Sequence, residues 1–176
     1  SGLQCRIEHV GSTSVQGLWA KPVIDIDIVL PSFDRLQNTI SALSKLGYSH
    51  VGNLGIEGRE AFKHPSPKVK HNLYVCEDGC IALKNHLFLR DHLLNNDSDK
   101  EKYSQIKRML AEKYPDDIDS YIEGKTEFIL SILDQYEIDG DGLKSIRAAN
   151  KKPQNGRGQS EPVSYTHLTL PTINWV

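Results

Sequence analysis

Two aspartates, Asp25 and Asp27, fall in the stretch Pro-Val-Ile-Asp-Ile-Asp-Ile-Val-Leu at residues 22–30. Its residues alternate with a period of two, which is that of a β-strand: Ile24, Ile26, Ile28 and Leu30 take one face, and Val23, Asp25, Asp27 and Val29 the other. Val23 and Val29 flank the acids on their own face, so that face is expected to be covered. Two carboxylates side by side on a covered face repel, and their pKa values rise unless a cation joins them. Hard oxygen donors of this kind suit Mg2+ or Mn2+, which complete their shells with water and substrate phosphates. The bland alternative is a solvated strand face.

Upstream, His9-Val-Gly-Ser-Thr-Ser14 reads as a strand running into a Gly/Ser/Thr turn, with 12 residues between Ser12 and Asp25. Gly11 would let the backbone approach a phosphate, and the hydroxyls of Ser12, Thr13 and Ser14 with nearby amides would cradle its oxygens. Such a turn is commonplace alone; its weight comes from preceding the paired acids. On a later strand, residues 69–76, His71 shares one face with Leu73 and Val75, while Asn72 and Tyr74 share the other. His71 is the acid/base candidate, since an imidazole titrating near about 6.5 suits a general base or a neutral metal ligand. A hydrogen-bonded structural histidine is the alternative reading, and His9 competes for the role.

Cations supply the complementary charge. Lys125 sits on an apolar helical stripe, three after Ile122 and three before Phe128, and Arg90 follows Leu87 by three on another. A cation on an inward stripe either snorkels or reaches an anion. Arg59, Lys63 and Lys84 are further phosphate-binding candidates, although exposed strand and helix charges are ordinary.

The elements that must position these groups follow from periodicity. Residues 5–10 and 22–30 read as strands, 32–46 as a helix stopped by Gly47, and 59–63 and 69–76 as a hairpin around Pro65-Ser-Pro67. From Gly79 the pattern turns helical: residues 81–94, a helix opened by the capping box Ser98-x-x-Glu101, and a third after Pro115. Strands first and helices second indicate an α+β domain, a small mixed sheet with a helical C-terminal part. Gly124, next to Lys125, costs that third helix about 1 kcal/mol relative to Ala, which suggests a close approach there.

The chain of 176 residues, 38% hydrophobic, supports one core. Residues 1–137 are expected to be that domain, lacking a first helix, with 138–160 a linker. In 161–176 the string VSYTHLTLPT resembles translated cloning or sequencing adapter and is set apart from the fold. Residues 150–176 carry Lys151, Lys152 and Arg157 against Glu161, so the formal charge of −2 becomes −4 without them, with 18 basic and 22 acidic side chains left. No basic excess points to nucleic acid. No run of 18 apolar residues occurs and no signal peptide is legible, so the expectation is a cytoplasmic protein without a membrane span, its Cys5, Cys76 and Cys80 reduced.

A Gly-Ser turn after one strand and Asp-x-Asp on the next resembles the signature of the nucleotidyltransferase superfamily. More narrowly, IEHVGSTSVQGL, AKPVIDIDIV, HNLYVC, LKNHLFLRD and DIDSYIEGKTEFI, in that order over residues 7–133, resemble the GrpB family, assigned to that fold and sometimes fused to dephospho-CoA kinase. The resemblance implies a nucleotidyltransferase-like sheet, Gly11 and Ser12 on a phosphate turn, and Asp25 and Asp27 on Mg2+ or Mn2+. Its ligand would be a nucleoside triphosphate or another phosphorylated small molecule. The activity implied is nucleotidyl transfer to an acceptor, or, if turnover is lost, nucleotide or polyphosphate binding alone. Two departures stand out: Gln16 replaces a usual Pro, and no third carboxylate stands on the later strand, where active relatives of this superfamily use one to activate the attacking hydroxyl.

Overall fold

The computed structural model describes residues 4–136 and 140–151. Its sheet has five strands, β1 (Arg6–Val10), β2 (Ile24–Leu30), β3 (Ser49–Gly52), β4 (Arg59–Lys63) and β5 (His71–Glu77), in the spatial order β1-β2-β5-β4-β3. β2 and β5 run parallel and the other neighbours antiparallel. Parallel neighbours need a long crossover, which here contains α1 (Leu36–Lys45) and the β3–β4 hairpin. Ser32 starts the helical stretch, its hydroxyl accepting from Asp34 N at 3.2 Å, and Gly47 ends it in the left-handed region at φ 90°.

The alternation in β2 divides the core. Ile26, Ile28 and Leu30 face α1, where Leu36, Ile40 and Leu43 pack with Phe62, Leu73 and Val75. On the opposite face, Val29, Ala61, Tyr74 and Cys76 are covered by Leu83 and Leu87 of α2 (Ile81–Asn95). Behind α2 stand α3 (Asp97–Lys113), α4 (Ile118–Leu133) and α5 (Gly140–Ala149). Their shared core joins Leu89, Leu93, Tyr103, Ile129, Leu133 and Ile146 to Val15 and Leu18 from the β1–β2 connection. The fold is α+β, a mixed sheet with a helical C-terminal part. No helix among the described residues is long and apolar enough to cross a membrane, and Cys5, Cys76 and Cys80 form no disulfide.

Three local expectations change. β3 was not legible, because Ser49-His-Val-Gly52 is short, mostly exposed and without alternation. The Ser98/Glu101 pair does not cap: the N-cap is Asn96, two residues earlier, so α3 starts at Asp97, and Asp97 and Asp99 in its first turn complement the helix dipole instead. Residues 140–149, expected as linker, form α5, with Ile146 buried in the helical core. The expected tail at 161–176 and most of the rest of the expected linker lie outside the described residues.

Gly124 marks the close approach of α4 to α3: a Cβ there would stand 2.5 Å from Leu110 Cδ2. Gly124→Ala gains about 1 kcal/mol of helix propensity but overpacks a buried leucine, at about 1–3 kcal/mol. The expected outcome is a lower unfolding temperature, and a higher one when the same substitution is made in a Leu110→Ala background. A rise in both backgrounds would contradict this account of the glycine.

Candidate functional site

The α2-facing side of the sheet carries the chemistry. The β2–β5 register pairs Asp25 with Asn72 and Asp27 with Tyr74, and the β1–β2 register pairs Glu8 with Asp27 and Val10 with Asp25. Paired residues share a face, so three acids come together on adjacent strands. Asp25 is 1% exposed and Asp27 0%. Asn72 Nδ2 donates to Asp25 Oδ1 at 2.7 Å, and His86 Nδ1, on α2, donates to Asp27 Oδ2 at 2.6 Å. Each carboxylate thus has one satisfied oxygen. The others, Asp25 Oδ2 and Asp27 Oδ1, are buried without a hydrogen-bond partner among the described residues. Burial pushes the Asp25 carboxyl up to about 6, against the lowering effect of Asn72 and His86.

Gly11 ends β1 at φ 71°, and a Cβ there would collide with Asp25 Oδ2. Only glycine meets both conditions, the backbone angle and the contact. Ser12–Ser14 then forms a 3-10 turn whose hydroxyls bond inward. Lys107 Nζ donates to Ser12 Oγ at 2.7 Å and to Trp19 O at 2.6 Å, Thr13 Oγ1 donates to Val23 O at 3.4 Å, and Ser14 Oγ donates to Gly11 O at 2.6 Å. In the turn expected to cradle a phosphate, the hydroxyls of Ser12, Thr13 and Ser14 are thus engaged with the turn's own backbone, Val23 and a buried lysine.

The predicted cations divide. Lys125 does point inward: it is 2% exposed, with Nζ 4.5 Å from the centre of the Tyr121 ring, and burial lowers it to about 7 despite the nearby Asp25 charge. Arg59, a phosphate-binding candidate whose alternative is an ordinary exposed strand charge, is 1% exposed with its guanidinium 4.4 Å above the Tyr74 ring. Arg90 is committed elsewhere, donating to Glu8 Oε2 at 2.8 Å, Asp91 Oδ1 at 2.7 Å and His9 O at 3.1 Å, so it neutralises the third acid of the face. Lys63 and Lys84 are exposed and stand outside the site.

His71 is not brought to the carboxylates. Its register partner is Ile24, which puts it on the opposite side of the sheet from Asp25. There Nδ1 donates to Val69 O at 2.7 Å and Nε2 bonds the Tyr48 hydroxyl at 2.7 Å, the structural alternative. His9 likewise bonds Thr13 at 3.0 Å. The histidine of the site is His86, which sequence reasoning passed over, as it did Asn72 and Lys107. A signal existed for two of them: His86 follows Leu83 by three, and Lys107 lies between Tyr103 and Leu110 at helical spacing, the rule that singled out Lys125.

Among the described residues no group of three or more His, Cys, Asp and Glu is arranged to hold a metal; the hard donors left open on this face are one oxygen each of Asp25 and Asp27. Two carboxylates with an open oxygen each fit Mg2+ or Mn2+, whose remaining ligands are water and phosphate.

A family model described as GrpB protein matches residues 1–135. The chain belongs to the GrpB family. It is 36% identical over 123 residues to the UPF0157 protein YqkA of Bacillus subtilis, covering 70% of this chain and 36% of that protein. To the glutamate-rich protein GrpB of Alkalihalophilus pseudofirmus it is 33% identical over 134 residues, covering 73% of this chain and 77% of the relative. The crystal structure of conserved protein GrpB from Enterococcus faecalis superposes with a TM-score of 0.64 at 31% identity, covering 80% of this chain and 81% of that one. This GrpB chain spans about a third of the length of YqkA.

Burial lowers Lys107 to about 6, with Lys125 lowering it further and Asp25 opposing. Between that value and the ordinary lysine pKa near about 10.4, the unfolded chain binds the proton and the folded chain does not. Lys107 therefore makes stability rise with pH over this window, by at most about 1.4 kcal/mol per pH unit. Lys107→Met removes that contribution. Chemical denaturation from pH 6 to 10 is expected to show Met at its greatest advantage over the parent at pH 6, shrinking as pH rises; a pH-independent difference would contradict a buried neutral amine.

Proposed function

We propose that this GrpB chain binds a nucleoside triphosphate, or another phosphorylated small molecule, together with a divalent cation. The observation that carries the reading is the pair of unpartnered buried oxygens, Asp25 Oδ2 and Asp27 Oδ1. A buried carboxylate oxygen without a partner is costly, and a cation between two neighbouring ones removes both costs. Asp25 and Asp27 would hold Mg2+ or Mn2+, which supplies neutralisation of phosphoryl charge. Asn72 and His86 fix the two carboxyl groups in orientation by taking one oxygen of each. Gly11 keeps the space above Asp25 free of a side chain. Lys107 and Lys125, held near neutrality by burial, would take up protons beside a polyphosphate, whose charge raises the pKa of a nearby amine.

Nucleotidyl transfer by in-line displacement, through positioning and charge stabilisation, extends this reading to an enzyme of the nucleotidyltransferase type. A second reading, binding without turnover, is favoured by Asn72: the β5 residue beside Asp25 is an amide that donates to it, where a third carboxylate would accept a proton. A pyrophosphate-release screen across acceptor classes separates the two.

Binding itself is tested by calorimetry of the full chain with ATP, GTP, CTP and UTP in Mg2+. At least one is expected to bind, and Asp25→Asn combined with Asp27→Asn to abolish the metal-dependent part of the affinity. The double variant should unfold no earlier than the parent, because it removes two buried neighbouring charges. No binding of any of the four would overturn the nucleotide reading, and unchanged metal dependence in the double variant would overturn the assignment of Asp25 and Asp27.

A further inference from the structure

His86 faces two ways. Its Nδ1 bonds Asp27, and the residue also lines a cavity of about 250 Å3 between the β3–β4 loop, α2 and α5. Ile81, Ala82 and Ile146 give this cavity apolar walls, and Glu57, Arg59, Asn85 and Asn150 are among its polar groups. Asn85 and Asn150 are each 3% exposed. Among the described residues, Asn85 Oδ1 and both Nδ2 and Oδ1 of Asn150 have no hydrogen-bond partner. Buried amides left in this state are rare in native folds, and each calls for an explanation such as a water or a ligand that supplies the partner. Here the cavity beside them is far larger than a single water needs.

The unmet bonds state what the ligand must offer. Asn85 Oδ1 and Asn150 Oδ1 need donors, and Asn150 Nδ2 needs an acceptor. A side-chain amide pairs in a bidentate manner with a planar edge that carries a donor next to an acceptor, as asparagine does with adenine. Apolar walls suit the faces of such a ring. The volume is below the roughly 300–1,000 Å3 of sites that take drug-sized ligands, so it fits a fragment of about one ring system. Net charge is not demanded, because the amides are neutral, Arg59 is already placed over Tyr74, and Glu57 on the rim is exposed to solvent.

We propose that this cavity is a base pocket, receiving the uncharged heterocycle of a nucleoside and reading its donor–acceptor edge with Asn85 and Asn150. The choice of heterocycle rests on the nucleotide reading above. The pocket itself stands on different residues from the metal site, with His86 as the wall between them. Ile146 and Asn150 lie beyond residues 1–135 matched by the family model, so base selection would depend on a part of the chain outside the matched segment.

Adenosine, guanosine, cytidine and uridine, titrated calorimetrically into the full chain without metal, separate the pocket from phosphate and cation. One of the four is expected to bind. Asn85→Leu and Asn150→Leu, in different elements, are each expected to weaken that nucleoside about tenfold. Asn85→Leu should do so without lowering the unfolding temperature, since it exchanges an amide with a buried, unpartnered oxygen for an apolar group of similar shape. Failure of all four nucleosides to bind the parent overturns the pocket, even if a triphosphate with Mg2+ binds. Nucleoside affinity undiminished in both variants overturns it as well. Nucleoside binding that gains nothing from triphosphate and Mg2+ sustains the pocket and counts against the metal-site reading alone.

Discussion

Two carboxylates on one covered face of β2 set the terms for everything around them. Water is removed from Asp25 and Asp27 by the same packing that buries Val29, so the protein must supply what water would have. It does so from separate segments: an amide on β5, an imidazole on α2, and two lysines on α3 and α4. Gly11 belongs to the same solution, because the chain can turn over Asp25 only where it has no side chain.

The arrangement explains how an acidic domain comes to keep its cations inside. Lys107 and Lys125 face neighbours that stabilise an amine in either state: hydroxyl and carbonyl acceptors for Lys107 and an aromatic face for Lys125. Arg90 spans from α2 to β1 and cancels Glu8, so the face retains two acids rather than three with open valences. The helical layer is therefore more than a cover for the sheet. It carries the countercharges, and its α2–α3–α4 core fixes where they stand.

Much of this was legible in the residue pattern, and the gaps have physical causes. The alternation around Asp25 and Asp27 and the helical stripe through Lys125 each report a single element, so periodicity alone exposes them. His71 and Asn72 differ in kind: adjacent residues on a strand point to opposite faces, and which face meets Asp25 depends on a register between strands far apart in sequence. Arg59 looks like an exposed charge on its strand and becomes buried only when α2 and the β3–β4 loop close over it. His86 and Lys107 were readable at helical spacing, and the rule applied to Lys125 reaches both. α5 itself opens on Gly140-Asp-Gly142 and buries Ile146, which leaves too weak an apolar stripe to stand out from linker composition.

The central claim is that the open oxygens of Asp25 and Asp27 are a divalent-cation site. Paramagnetic broadening of backbone amides by substoichiometric Mn2+ tests it most directly, since the effect falls steeply with distance from the ion. The account predicts loss of signal first at Gly11, Asp25, Asp27, Asn72 and His86. Broadening confined to the exposed acids at the start of α3, with those five amides unaffected, would contradict it.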